Sequence, residues 1–409
     1  MRAGPLTAAV AAVLVAVSTP AAAVAPPQVT VGGAPADGTP GPEFATKQDK
    51  SCLAAGVLPD SDLRQIPPVE RALDLSRARA LTRGAGVTVA VIDTGVSQHT
   101  RLPELAAGGD YVQAGGDGLF DCDAHGTLIA GIIAAADDPA DGFTGVAPEA
   151  KLISLRYRSG AFRADGNLNI DAAQQLSIDI GRMAKAIVHA ANLGAQVITV
   201  AMPVCVPAGL GIDQSALSAA IGYAVHTRGA LIVAGAGTAG NGGCEQNPGI
   251  DPGRPADPRN WDRVKTISVP SWFAPSVLSV GYTTATGDTA PESLSGPWVS
   301  LAAPGVGIES LGPGGGGLIN GVGGDKMVPV GGASFAAAYV SGVAALLRSR
   351  FPNESPAEIT ARLLASAHAP ARGVDNSVGA GLVDPLAALS YRVPPEPPAA
   401  LSRSAALAV

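Results

Sequence analysis

An α/β fold, with a central and mainly parallel sheet covered by helices on both faces, is predicted by three features of the sequence. Short runs rich in β-branched residues recur along its middle, stretches with helical spacing separate them, and the runs are apolar throughout rather than alternating. A strand buried on both faces has no polar side to present, and parallel neighbours need a crossover between them, so helices must cover both faces.

Taken in order, residues 1–25 read as a secretory signal peptide. Arg2 precedes an apolar run of about a dozen residues, and small residues suited to A-x-A cleavage follow near Ala23 and Ala25. A Pro- and Gly-rich N-terminal extension occupies 26–84. Within 85–392, strands are expected at VTVAVID (87–93), KLISLR (151–156), QVITVA (196–201), ALIVAGA (230–236) and VLSVG (277–281). Helices are expected near 126–136, 177–193, 213–228 and 334–350, and the inserts 158–176 and 311–325 read as surface loops. Residues 393–409 form a Pro- and Ala-rich tail that offers no run of about 20 apolar residues to span a bilayer.

Composition narrows the function. Hydrophobic residues make up 47% of the 409 and charged residues 15%, the profile of a globular chain with a substantial core. A net charge of -7 without a basic stripe argues against nucleic acid as a partner. Outside the cytoplasm, the four cysteines Cys52, Cys122, Cys205 and Cys244 permit two disulfides in any of three pairings. No C-x-x-C pair occurs and the five histidines are scattered, so neither a metal nor a cofactor is expected.

Three residues carry the chemistry. Ser334 opens the small and apolar run SFAAAYVSGVAALL, where it reads either as a helix N-cap or as a nucleophile. Asp93 closes the strand VTVAVID before Thr94 and Gly95, and His125 begins a helix in DAHGTLIAGIIAA, where Gly126 permits close approach of other groups. Each alone has a structural reading, Asp93 as a turn acceptor and His125 as a helix-end residue. Together they supply what acyl transfer needs: an imidazole to take the hydroxyl proton, a carboxylate to orient it, and an oxygen to attack a carbonyl. Their chain order of Asp, His, Ser is the order found in subtilisin.

VAVIDTGV, DAHGTLIAGIIAA and GGASFAAAYVSGVAALL resemble the Asp, His and Ser motifs of the subtilisin-like serine proteases, and the likeness runs from about Val87 to Leu389. The stretches RLPELAAGGDYVQAGGDGLFDCDAHGT, CEQNPGIDPGRPADPRNWDRVKTISVPSWF and ARGVDNSVGAGLVDPLAAL are similar to the mycosins, proteases of actinobacterial type VII secretion systems. The resemblance implies a subtilisin-like three-layer fold in which Asp93 orients, His125 is general base and acid, and Ser334 attacks. It also implies an extension wrapped around the catalytic domain, with Cys52 joined to Cys122 and Cys205 to Cys244. The implied activity is that of a secreted or cell-envelope serine endopeptidase making limited cuts in proteins, associated with a type VII secretion membrane complex. The chain departs from the family at three places. Thr238 stands in VAGAGTAGNGG where an oxyanion-hole Asn is usual, with Asn241 as the other candidate donor; Ala333 replaces the usual Thr; and the C-terminal transmembrane helix is not seen. The first departure keeps open a weak or inactive protease with a structural role, and the last a general degradative protease.

Overall fold

The computed structural model describes residues 24–391, apart from residues 26, 34, 167, 325 and 372. The first 23 residues of the signal reading and the tail from 393 onward lie outside the described residues.

Seven strands form the central sheet: β1 (Thr88–Asp93), β2 (Leu105–Asp110), β3 (Lys151–Arg156), β4 (Val197–Val200), β5 (Leu231–Gly235), β6 (Val277–Thr283) and β7 (Leu301–Pro304). They lie in the order β7-β6-β5-β4-β1-β3-β2, and every neighbouring pair is parallel. Five of the seven were expected. The other two, β2 with the sequence LAAGGD and β7 with LAAP, contain no β-branched residue and owe their extended form to pairing with β3 and β6.

Side chains alternate between the two faces of this sheet. Val89 and Val91 of β1 pack in one cluster with α1 (His125–Ala134) and α4 (Ala333–Arg350). Ala90 and Ile92 pack in the other, with α2 (Ala172–Asn192) and α3 (Ser215–Gly222). The helix α4 is buried on nearly every side, and its run of alanines lets neighbours approach closely. Its interior hydroxyl, on Ser341, is satisfied locally by donating to the Ala337 carbonyl at 2.8 Å.

The inserts expected to be loops each contribute a strand. Phe162–Ala164 pairs antiparallel with Thr46–Gln48, and Gly321–Gly323 pairs antiparallel with Ala54–Gly56. Both partners belong to the N-terminal extension, and Gly321–Gly323 is also paired on its other edge with Met327–Gly331. Arg156, fully buried, sits between the rings of Phe162 and Phe120 at 4.4 and 5.2 Å and pairs with Asp110 at 3.1 Å. Elsewhere the extension is held by Glu43 to Arg182 and Lys185, and by Thr30 to Ser218. Among the described residues no helix is long and apolar enough to cross a membrane.

The chain runs to one side of β1 for β2 and β3, then to the other for β4 through β7. In open α/β sheets, the crevice at the strands' carboxyl ends where the order reverses is the place for ligands. Asp93 is the last residue of β1.

Candidate active site

Asp93 is fully buried, and its Oδ1 meets His125 Nδ1 at 2.7 Å. The same oxygen accepts the Thr94 N–H at 2.8 Å, while Oδ2 has no hydrogen-bond partner among the described residues. The carboxylate therefore faces the imidazole with little else to spread its charge. The ring of His125 remains 18% exposed and packs against Phe335 at 5.2 Å between centroids.

The positions of this pair are set by a second carboxylate that the sequence reading did not single out. Asp121 accepts the Thr94 hydroxyl at 2.9 Å and both the backbone N–H and the hydroxyl of Thr127, at 2.9 and 2.7 Å. Thr94 Oγ1 in turn accepts the Gly126 N–H at 3.0 Å. Asp121 thus ties the end of β1 to the first turn of α1. The close approach read from Gly126 is present, since a Cβ there would lie 1.9 Å from the Gly95 carbonyl oxygen. Ala124, just before His125, is held in the left-handed region at φ 62, an unusual conformation for a non-glycine at a site.

Burial works in opposite directions on these groups. The Asp121 carboxyl is pushed up to about 6 by desolvation, against the pull of its hydrogen bonds from Thr127 and Thr94. For His125, desolvation favours the neutral ring. The charge and hydrogen bond of Asp93, helped by Asp121, outweigh it and leave the pKa above its ordinary 6.5, with the Arg158 cation opposing them.

Ser334 is the second residue of α4, not its cap; Gly332 takes the N-cap position with φ 138. The N-cap role considered for this serine is therefore corrected. A left-handed φ suits glycine there, and the helix starts one residue before the hydroxyl. Ser334 is part-exposed and lines one cleft with His125, Met202, Thr238 and Asn241. Its side chain makes no hydrogen bond to His125 or to any other described residue, although the two share that cleft. The amino end of α4 presents backbone N–H groups and the positive end of the helix dipole to the same space.

Thr238 lies three residues past β5, with its hydroxyl close to that helix end: a Cβ on Gly332 would come within 3.1 Å of Thr238 Oγ1. The neighbouring backbone is tethered by Leu294 N–H to the Gly237 carbonyl at 3.0 Å and by Ala239 N–H to the Glu292 carbonyl at 2.7 Å. Asn241 is exposed on the following turn, which the Cys205–Cys244 disulfide closes. The second disulfide, Cys52–Cys122, fastens the extension three residues before His125.

The sequence pattern of the subtilase family matches residues 84–381. Mycosin-1 of Mycobacterium tuberculosis is 47% identical over 386 residues, covering 94% of this chain and 86% of its own. Among solved structures, the serine protease MycP1, described as an essential component of the type VII (ESX-1) secretion system, superposes with a TM-score of 0.86 at 46% identity. That match covers 90% of this chain and 100% of the other. A chain of the intact ESX-5 inner membrane complex superposes at 0.87 and 46% identity, covering 93% and 91%. Likeness of this degree, extending over nearly all of both sequence and fold, shows that the chain belongs to the subtilase family, on its mycosin branch.

Proposed function

We propose that the chain is a serine endopeptidase in which Ser334 attacks a peptide carbonyl, His125 moves the protons and Asp93 holds the imidazole. The observation that carries this reading is the 2.7 Å contact between Asp93 Oδ1 and His125 Nδ1, in a cleft shared with a part-exposed serine at a helix amino end. With Nδ1–H directed at the carboxylate, Nε2 is the free base. It takes the Ser334 proton as Oγ bonds to the carbonyl carbon, then returns it to the leaving amine as the C–N bond breaks. Water repeats the sequence on the acyl-enzyme. The absence of a Ser334–His125 hydrogen bond does not oppose this, because such bonds tighten when substrate binds.

The oxyanion formed on the way is held by the Ser334 N–H and by the Thr238 hydroxyl, whose nearness to Gly332 supports it over the exposed Asn241. A hydroxyl is a shorter donor than the usual amide, which predicts slow turnover rather than none.

The cellular setting follows from the relatives. A similar chain is part of an ESX-5 inner membrane complex and another is named a component of the ESX-1 system, so this chain acts outside the cytoplasm in the cell envelope, making limited cuts in proteins beside a type VII secretion complex. Two disulfides support an oxidising location. Labelling of the purified chain with a serine-reactive fluorophosphonate tests the catalytic reading. Labelling should fall on Ser334 and vanish in Ser334→Ala; a chain that stays unlabelled under conditions where a known subtilase reacts refutes it.

A further inference from the structure

One wall of the cleft carries a charge for which the acyl-transfer steps have no use. Arg158 stands two residues beyond β3 and lines the cleft together with His125 and Ser334. Its backbone neighbourhood is fixed: the Tyr157 N–H donates to the Asp93 carbonyl at 3.0 Å, and Asp123 accepts the Ser159 hydroxyl and the Gly160 N–H. The guanidinium on this mount is not similarly engaged. It lies 5.9 Å from the Tyr157 ring centroid and interacts with that residue's hydroxyl, a third of the side chain is exposed, 33%, and the nearest carboxylate, Asp179, lies 3.9 Å away, beyond hydrogen-bond reach.

Other arginines of the chain end in close forks, as Arg64 does on Asp62 at 2.7 and 3.1 Å and Arg362 on Glu354 at 2.6 and 2.5 Å. Asp179 is nearly buried; its Oδ1 accepts Gln175 Nε2 at 2.9 Å, and its Oδ2 is the oxygen that faces Arg158. Beyond Arg158, the cavity that it shares with Phe44 of the extension is lined by two more arginines, Arg163 and Arg182. A part-exposed planar fork with no carboxylate in hydrogen-bond contact, fixed at its base and facing the cleft, is suited to a carboxylate.

We propose that Arg158 selects an acidic side chain in the substrate, docking the carboxylate of a glutamate or aspartate within the peptide bound along the cleft. This rests on the reading of the cleft as a peptide site, and it assigns to this chain a charge preference that the triad does not specify. The docked carboxylate supplies the close partner that Asp179 does not.

The test is binding to the full chain carrying Ser334→Ala, so that cleavage plays no part. Fluorescein-labelled, end-capped octapeptides of alanine and leucine carry one glutamate walked through successive positions, with glutamine and lysine counterparts, and are followed by anisotropy. At one position glutamate should bind about tenfold more tightly than glutamine, and lysine more weakly than either, as for a charge-assisted bidentate bond. The gap should narrow in high salt. Adding Arg158→Gln should abolish the discrimination, Arg158→Lys should keep part of it, and Asp179→Asn should widen it; unchanged melting temperatures show that each variant is folded. Equal affinity for glutamate and glutamine at every position, a preference that survives Arg158→Gln, or no binding of any peptide overturns the proposal. If glutamate peptides bind at Arg158 but Ser334 resists the fluorophosphonate, the catalytic reading alone fails; if Ser334 is labelled but glutamate has no advantage, this inference alone fails.

Discussion

At the scale of single residues, charge around one imidazole sets the pH range expected of the proposed mechanism. General-base catalysis needs neutral His125, and the Asp93 carboxylate together with Asp121 raises its pKa above 6.5 despite the opposing pull of burial. The acid limb of kcat/KM should therefore be centred above pH 6.5, with activity lost as pH falls through it. Arg158 works in the other direction, so Arg158→Gln should move that limb to higher pH, measured on an uncharged peptide. The same sign governs stability: the preference of the fold for the protonated ring is complete below the unfolded value and is lost as pH rises through the raised one. The second prediction concerns Thr238. An oxyanion donor is worth about 10²–10³ in kcat, and a threonine hydroxyl reaches less far than an asparagine amide. Thr238→Asn should raise kcat by about tenfold with little change in KM, because the added bond forms in the transition state. Unchanged turnover in Thr238→Asn together with its loss in Asn241→Ala would instead assign the donor to Asn241.

At the scale of elements, the site depends on how closely α1 approaches the turn after β1. Gly126 has no room for a side chain, because a Cβ would meet the Gly95 carbonyl oxygen at 1.9 Å, a backbone atom that has no rotamer to yield. Gly126→Ala must shift the amino end of α1, and His125 with it. Displacement of a catalytic group by about 1 Å typically costs on the order of 10² in rate. The expected outcome is a fall in kcat/KM of about that size with destabilisation of about 1–3 kcal/mol, measured by steady-state kinetics and urea unfolding. Asp121 explains why the approach is so close: its two oxygens gather Thr94 from one element and Thr127 from the other.

At the scale of the whole molecule, the extension acts as a strap with a covalent buckle. Its two strand pairings hold the inserts 158–176 and 311–325, and Cys52–Cys122 closes a separation of 70 residues between them. Replacing both cysteines by serine should lower the unfolding free energy by about 4 kcal/mol in the chain-entropy account, read from denaturant midpoints. Labelling of Ser334 in native buffer should persist, because Asp93 and His125 are located by hydrogen bonds through Asp121, Thr94 and Thr127 rather than by the disulfide.

Much of this was legible from residues alone, and the reason is chemical. A strand buried on both faces must be apolar, so β1, β3, β4, β5 and β6 announce themselves. Asp93, His125 and Ser334 stand at or near element ends with glycines close by, where side chains from different elements can meet. Alanine- and glycine-rich β2 and β7 carried no such mark, because their conformation comes from neighbours and not from side-chain preference. The extension's pairings could not be read either, since Thr46–Gln48 and Ala54–Gly56 meet strands more than a hundred residues distant. Asp121 and Arg158 were invisible for a related reason. A carboxylate among many acquires its role from the two threonines that converge on it, and an arginine becomes a candidate selector only where the fold denies it a close acid. Local chemistry therefore specified the strands and the residue types proposed for catalysis, whereas long-range packing decided which surrounding groups hold, charge and shape the cleft.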